Sequence, residues 1–274
     1  MSAIKKLMTK SFLERAISGI LLVIIALVTI ILGKDVLFAT ITIISLIGLS
    51  EILKVFKVHN RLPGFAAYLV AIGYFALLRF EYQEYFMPLF IGYIIILMAI
   101  YVFTFPKFTS SEIIPCFFSL FYVAVMLSYV YQVRMMEDGL YTVWLIFICS
   151  WGCDTCAYLV GVMFGKHKMA PILSPKKSVE GGIGGVVGAA LLGFVYALIF
   201  KGNIHEISNP MVTFPVICAV GGIISQVGDL CASGIKRNND IKDYGKLIRG
   251  HGGILDRFDS VIFTAPIIFY LITL

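Results

Sequence analysis

Charged residues are scarce in this chain. They make up 14% of its 274 residues, whereas hydrophobic residues make up 59%. A soluble domain usually carries about 25% charged residues. The scarcity therefore excludes a water-soluble fold and predicts an integral membrane protein. Neither a soluble domain nor a low-complexity linker separates the apolar segments.

Cysteine is also sparse, with six residues that all lie in or beside apolar segments. This distribution argues against a disulfide framework and is typical of small buried packing residues. Cys153 and Cys156 form a CxxC pair, but no second Cys or His pair lies nearby in sequence, so we do not expect a zinc site. Four basic residues precede the first apolar run, as in a signal peptide. Because no A-x-A cleavage site follows, we interpret the run as a retained anchor.

Nine apolar segments follow one another, each near the ~20 residues that cross ~30 Å of hydrocarbon as a helix. They are Ile17–Leu32, Val36–Ile52, Leu62–Leu78, Phe86–Phe105, Ile113–Val133, Leu140–Phe164, Ile183–Phe200, Val212–Ile235 and Val261–Leu274. We predict an all-α, polytopic integral membrane protein with about nine transmembrane helices and cytoplasmic catalytic loops. It forms a single membrane domain, 1–274, in which 1–149 contribute N-terminal spans and 150–274 carry the active site.

Basic residues are distributed unequally between the two sides of the predicted helices. With the N-terminus in the cytoplasm, eighteen Lys and Arg residues lie inside and only four lie outside. This bias predicts a multi-pass protein of the cytoplasmic membrane with its N-terminus inside. The polar loops 165–182 and 236–256 then share the cytoplasmic face. A soluble substrate that both loops bind would be a cytoplasmic one.

Aspartates at the ends of two predicted spans form the first candidate site. Asp229 lies near the end of the eighth span. Asp256 and Asp259 open the ninth and, three residues apart, share one helix face. Carboxylates at membrane depth need a polar cavity and a partner, and hard oxygen ligands of this kind suit Mg²⁺ together with substrate phosphates. The alternative is a set of ion pairs with three neighbouring basic residues, Lys236, Arg237 and Arg257.

Two further acidic residues lie inside apolar segments. Asp154, in the sixth span, is by default a functional residue, and the alternative is a hydrogen-bonded tie between helices. Glu51, in the second span, is interpreted as structural because Lys54 lies at helical spacing from it.

A basic loop follows the sixth span. Lys166 and the segment Ser174–Ser178, which contains two lysines and two serines, offer point charges and hydroxyl donors to a phosphate. Positive-inside topology alone would explain Lys166, but it does not require the hydroxyls or the rigid proline turn of Ser174–Ser178. Glu180, just inside the next span, is expected to orient a lysine rather than to bind a metal.

Glycines are concentrated in two places that we interpret differently. In the second polar loop they flank His251, where they permit close approach of the backbone to a ligand. His251 could donate to a phosphate there, and the alternative is a turn that starts a helix. The run Gly181–Gly188 has small-xxx-small spacings in an apolar span, which predict close helix packing in lipid.

The stretch from Ser233 to Asp259 resembles the signature of the phosphatidate cytidylyltransferases, the CDP-diacylglycerol synthases. The matching positions are Ser233, Lys236, Arg237, Lys242, Asp243, Gly245, Ile248, His251, Gly252, Gly253, Asp256, Arg257 and Asp259. A second stretch, Asp154–Gly181, is similar to the upstream motif of the same family. The chain departs from the family pattern at Cys156, Val162 and Arg249, none of which is a predicted metal ligand.

The resemblance implies that CTP and phosphatidic acid are converted to CDP-diacylglycerol and pyrophosphate, a Mg²⁺-dependent step of phospholipid biosynthesis. It also implies a homodimer, involves no nucleic acid, and leaves open whether a monovalent cation such as K⁺ joins the Mg²⁺. The catalytic residues would be Asp229, Asp256, Lys236 and Arg237. The metal ligands would be Asp229, Asp256, Asp154 and Asp259. The substrate-binding residues would be Lys166, Ser174, Lys176, Lys177, Ser178, Glu180, Ser233, Lys242, Asp243, His251 and Arg257.

Two other functions stay open on the sequence alone. A CTP-dependent polyprenol or lipid kinase would transfer the γ-phosphate and release CDP. An ion-coupled transporter would use Asp154, Asp229 and Asp259 as an ion path. The sequence contains no evident inverted halves with paired broken helices, and its charge is concentrated on one face rather than at the midplane, which counts against transport.

Overall fold

A computed structural model describes the backbone of residues 10–248 and 252–274, and the side chains of these residues from 19 onward. The described chain is predominantly α-helical, as predicted. Its α-helices are α1 (Lys10–Leu32), α2 (Lys34–Val55), α3 (Leu62–Arg79), α4 (Phe86–Thr104), α5 (Ser110–Ser119), α6 (Met126–Met135), α7 (Gly139–Phe147), α8 (Cys153–Phe164), α9 (Val179–Phe200), α10 (Pro210–Asn238) and α11 (Leu255–Thr273).

Two π-helical turns join consecutive helices into longer ones. Leu120–Val125 connects α5 to α6, and Ile148–Gly152 connects α7 to α8. A π-helical turn widens a helix locally without ending it. The predicted fifth and sixth apolar segments each correspond to one such composite helix of 26 residues.

Seven helices of the described chain are long and apolar enough to cross a membrane: α2, α3, α4, α5–α6, α7–α8, α9 and α10. The predicted first segment lies in α1, whose apolar part Gly19–Leu32 is shorter. The predicted ninth segment lies in α11, which carries three charged residues among its first five. The chain is thus a multi-pass membrane protein, with seven spans supported by length and composition.

The chain forms two compact units. The first unit comprises Met1–Ser128 and Asp243–Arg257, and the second comprises Tyr129–Lys242 and Phe258–Leu274. In the first unit, the buried hydroxyl of Tyr74 is 2.8 Å from Ser128 Oγ. Such pairing satisfies a polar group that lipid could not.

Small residues allow helices of the second unit to pack closely. A Cβ atom added to Gly188 would lie 2.5 Å from the Cys156 side chain on α8, and one added to Gly193 would lie 2.6 Å from Cys218 Sγ on α10. The glycine run of α9 therefore serves helix packing, as the sequence predicted.

A β-hairpin precedes α9, where the sequence analysis expected only a loop. Strand β1 (Lys168–Ala170) pairs antiparallel with β2 (Ser174–Ser178), with Lys168 opposite Ser178. Adjacent side chains of a strand point to opposite faces. Lys176 is accordingly exposed, whereas Lys177 is partly buried.

Candidate active site

A polar pocket of about 480 Å³ lies in the second unit, between α8, the β-hairpin, the start of α9 and α10. It contains six of the residues predicted from sequence, namely Asp154, Ser174, Lys176, Lys177, Ser178 and Asp229. The fold thus brings together residues that are up to 75 positions apart in the chain, the separation between Asp154 and Asp229. The predicted basic loop and two of the predicted acidic residues share one cavity.

An ion pair joins the two predicted components of the pocket. The ammonium of Lys177 on β2 contacts Asp229 Oδ2 on α10, and both side chains keep about a quarter of their surface exposed. A carboxylate in this setting requires a positive partner, which the lysine supplies. Both side chains are flexible and partly exposed. A bound cation could therefore replace the Lys177 ammonium at Asp229, and a bound anion could replace the Asp229 carboxylate at Lys177.

More charge surrounds Asp229 within the second unit. Asp259, at the start of α11, is within electrostatic range of Asp229, Asp154 and Lys236. Lys236 is 91% buried, since its exposed fraction is 9%. Within residues 19–248 and 252–274, no group of three or more His, Cys, Asp or Glu side chains is arranged to hold one metal ion. A cation bound here would need further ligands from a substrate.

Backbone capping shapes the basic side of the pocket. Ser178 Oγ accepts a hydrogen bond from the Gly181 N–H at 3.1 Å, which caps α9. Glu180 accepts from the backbone N–H groups of Lys166 and His167 at 3.1 and 3.2 Å, and its carboxylate lies 2.6 Å from His167 Nδ1. The carboxylate of Glu180 thus holds the turn before β1 through the backbone N–H groups of that turn. The sequence analysis had expected it to orient a lysine side chain.

The remaining predicted residues of the second unit are divided between surface and interior. Lys166, Arg237 and Lys242 are exposed, and Arg237 Nη1 donates to the carbonyl of Ile241 at 3.3 Å. Ser233 is buried in α10. The exposed cations are available to a soluble anion, whereas Ser233 lies inside the packing.

The second predicted loop folds around Asp256 in the first unit. The side chain of Asp256 is buried, and its Oδ2 accepts from the N–H groups of Tyr244 at 2.8 Å and Gly253 at 2.9 Å. Gly252 has a φ angle of +82°, which an L-residue with a side chain rarely adopts. We call residues 243–248 and 252–255 the signature loop. One carboxylate oxygen of Asp256 is thereby committed to the backbone of this loop.

Other predicted residues of the first unit have simpler settings. Asp243 is exposed and Arg257 is partly buried in the first turn of α11. The backbone N–H of Arg257 donates to the Ile254 carbonyl at 2.9 Å. His251 lies outside the described residues, so its predicted role stays a prediction.

Glu51, which the sequence analysis interpreted as structural, is within electrostatic range of Lys54 as expected. It also accepts hydrogen bonds from the signature loop at Ile254 and Leu255, which the sequence did not predict. Two further residues of the polar pocket were not predicted. Gln226 donates to the Gly182 carbonyl at 2.9 Å and lines the polar pocket together with Met169. An amide one turn from Asp229 was the only sequence signal for Gln226, and none marked Met169.

An apolar groove leads away from the polar pocket between α9 and α10. A second cavity of about 480 Å³ shares Met169, Gly182 and Gln226 with the polar pocket. A third cavity shares Val186 and Val187 with the second. On α9 the lining runs from Val179 to Phe194, roughly 22 Å at 1.5 Å per residue. Apart from Gln226, the groove is lined by apolar residues.

Comparison with known proteins supplies the family. The family model described as the cytidylyltransferase family matches residues 13–274. A phosphatidate cytidylyltransferase of Bacillus subtilis (strain 168) is 30% identical over 267 residues, which cover 95% of this chain and 97% of that protein. The same name belongs to a Staphylococcus aureus (strain COL) protein that is 30% identical over 93% of this chain and 96% of its own length.

A phosphatidate cytidylyltransferase of Staphylococcus saprophyticus is 35% identical over a shorter alignment of 173 residues, which spans 63% of this chain and 64% of that protein. These matches confirm the resemblance that the stretch from Ser233 to Asp259 and the upstream motif indicated. The chain belongs to the cytidylyltransferase family.

Proposed function

We propose that this protein is a phosphatidate cytidylyltransferase, which forms CDP-diacylglycerol and pyrophosphate from CTP and phosphatidic acid. The observation that carries the proposal is a polar pocket with lysines and carboxylates that continues into an apolar groove. The names of the similar proteins agree with it. Neither the lipid kinase nor the transporter is favoured by any of these observations.

The polar pocket suits the phosphates of both substrates. Lys176 is exposed on β2, beside Lys177 and the hydroxyl of Ser174. Lysines act as point charges toward phosphate, and hydroxyl groups add donors. Arg237, exposed near the end of α10, provides a further cation. These residues would bind the triphosphate of CTP and the phosphate of the lipid.

The apolar groove suits an acyl chain of the lipid substrate. Its roughly 22 Å along α9 is longer than one leaflet, which is about half of the ~30 Å hydrocarbon thickness. A lipid with its phosphate in the polar pocket would therefore extend one chain along the groove. If the second substrate were water-soluble, it would have no acyl chain to place in the apolar groove.

The reaction is an in-line displacement at phosphorus. A phosphatidate oxygen attacks the α-phosphorus of CTP, a new P–O bond forms, and the bond to the β-phosphate oxygen breaks. Because the attacking phosphate is already an anion, no strong base is needed, and catalysis consists of positioning and charge neutralisation. Lys176, Lys177 and Lys236 would neutralise charge on the lipid phosphate and on the departing pyrophosphate.

We propose Mg²⁺ as the cofactor, with Asp229 as its best-supported ligand. The donor set fits, because Asp229 is a partly exposed carboxylate that already pairs with a cationic group. Mg²⁺ typically takes one or two carboxylates and completes its shell with phosphates and water. When bound, it would neutralise phosphate charge. Asp154 and Asp259 would add to the negative potential around the ion. A ligand role for Asp256 stays a prediction from sequence. Whether K⁺ binds beside Mg²⁺ stays open.

Orientation, span number and assembly also belong to the proposal. We infer that the N-terminus and the polar pocket face the cytoplasm, because eighteen of the 22 basic residues fall on that side of a nine-span arrangement. The nine spans would be the seven long apolar helices together with α1 and α11. A homodimer is proposed from the family resemblance alone.

The decisive test of function is an assay of purified protein with phosphatidic acid, Mg²⁺ and CTP labelled at the α-phosphorus. We expect label in the lipid product and release of unlabelled pyrophosphate. Label that stays in CDP would instead identify a lipid kinase. Failure to form a CDP-lipid under any Mg²⁺ concentration would reject the proposal.

The orientation is tested by thiol labelling from outside intact cells. We expect a cysteine introduced at Asn203 to react with an impermeant reagent and one introduced at Asn239 to remain unlabelled. The reverse pattern would overturn the claim that CTP reaches the site from the cytoplasm.

A further inference from the structure

Glu51 is the most deeply placed acidic residue of the first unit that the proposed chemistry does not use. It lies in the last turns of α2, and its exposed fraction is 4%. Its two carboxylate oxygens accept one hydrogen bond each, Oε1 from the Ile254 N–H at 3.0 Å and Oε2 from the Leu255 N–H at 2.9 Å. The two donors are about 200 residues away in the chain, at separations of 203 and 204.

These bonds fix the point where the signature loop becomes α11. The first N–H groups of a helix have no partner within the helix, and a negative group is favourable at that end. Glu51 supplies both a partner and the charge. It therefore caps α11 from another helix, at a point where Ile254 and Leu255 are both buried.

Two glycines of the signature loop pack directly on the same carboxylate. A Cβ atom added at Gly245 or Gly253 would collide with the carboxylate oxygens of Glu51. Both positions therefore require glycine while Glu51 occupies its site. The carboxylate thus contacts the loop at four residues, through two hydrogen bonds and two close approaches.

We propose that Glu51 is a positioning residue for the proposed cytidylyltransferase reaction. It holds the signature loop and the start of α11 in one conformation, and Asp243 in that loop is among the residues predicted from sequence to bind substrate. The inference rests on the proposed function for its kinetic part. Its structural part, the order of the loop, stands on the hydrogen bonds alone.

The chemistry of glutamine makes Glu51→Gln an informative variant. Because the two bonds use different oxygens, a glutamine would place its NH₂ group against one backbone N–H, donor against donor. Glu51→Asp keeps two acceptors on a shorter side chain and should restore part of the contact. Glu112→Gln is the matched control, since Glu112 caps α5 by accepting from the Thr109 N–H at 2.9 Å and has no place in the proposed site.

The first measurement is hydrogen exchange of the detergent-solubilised full chain without substrates. We expect the segment 252–257 to exchange at least tenfold faster in Glu51→Gln, at an intermediate rate in Glu51→Asp, and at the wild-type rate in Glu112→Gln. Unchanged protection in Glu51→Gln would overturn the proposal. If Glu51→Gln does not fold, the exchange rate of segment 252–257 in Glu51→Asp is the test. Wild-type protection of that segment in Glu51→Asp would then overturn the proposal.

The second measurement is steady-state kinetics with CTP and phosphatidic acid. A misplaced loop should lower kcat at least tenfold while the KM for CTP changes less than threefold, because transition-state contacts are lost rather than ground-state binding. Wild-type kcat in a folded Glu51→Gln variant would overturn the positioning role. A wild-type protein without activity would overturn the proposed function instead, and the exchange experiment would still decide whether Glu51 orders the loop.

Discussion

Carboxylates of the two units have different partners, and the difference separates two kinds of role. Asp229 in the second unit pairs with the flexible ammonium of Lys177 and opens onto a pocket. Asp256 and Glu51 in the first unit bind backbone N–H groups of one loop. A side-chain partner can be exchanged for a ligand, whereas backbone partners fix the fold. We therefore expect acidic side chains to bind a ligand in the second unit and to order the loop in the first.

The largest expected effect is that of Asp229→Asn. Loss of this charge would remove the proposed Mg²⁺ ligand and should reduce kcat about 1,000-fold, near 4 kcal/mol of transition-state stabilisation. The protein should still insert and elute as the wild type does from a sizing column. Turnover within a few-fold of wild type at matched Mg²⁺ would show that the carboxylate of Asp229 is only an ion-pair partner.

Asp256 allows the comparison to be sharpened, because both of its described bonds go to one oxygen. Asp256→Asn keeps an acceptor for both N–H groups but loses the charge, whereas Asp256→Ala loses both. We expect Asp256→Asn to lower kcat about 100-fold, near 2.7 kcal/mol, with protection of the loop against hydrogen exchange retained. Near-normal turnover in Asp256→Asn with an inactive Asp256→Ala would limit Asp256 to holding the loop.

Removal of single lysines from the pocket should have a moderate effect. Lys176→Ala and Lys177→Ala should each lower kcat/KM about tenfold or more, which corresponds to 1.4 kcal/mol. Exposed lysines outside the pocket are the controls. Lys57→Ala and Lys107→Ala should change kcat/KM less than about twofold, since a solvated charge contributes little. Equal losses in all four variants would indicate general attraction of CTP by surface charge.

Filling the apolar groove should have the smallest effect and should depend on the lipid. Val187→Trp should lower kcat/KM for a long-chain phosphatidate about fivefold, near 1 kcal/mol. This is little more than the free energy gained by burying one CH₂ group. A short-chain phosphatidate should be affected less than twofold. Leu198→Trp, on α9 outside the groove, is the control. Equal effects on both lipids would remove the acyl chain from the groove.

The sequence by itself determined the membrane class, the helical fold and the family. Hydrocarbon permits only helices or closed barrels for a spanning chain, so composition and apolar run length fix the architecture. The signature Ser233–Asp259 and the upstream motif indicated the family, and Lys177 and Asp229 were both predicted site residues. These properties are local or periodic, and a single sequence contains them.

Only the tertiary structure decided which groups are partners. It paired Lys177 with Asp229, formed a hairpin from the predicted loop, and gave Glu51, besides its expected neighbour Lys54, two partners in a loop about 200 residues away. Hydrogen bonds of this range depend on how helices pack, which the spacing of residues along one helix does not encode. A carboxylate in an apolar span indicates that a partner is needed, but the identity of that partner depends on the fold.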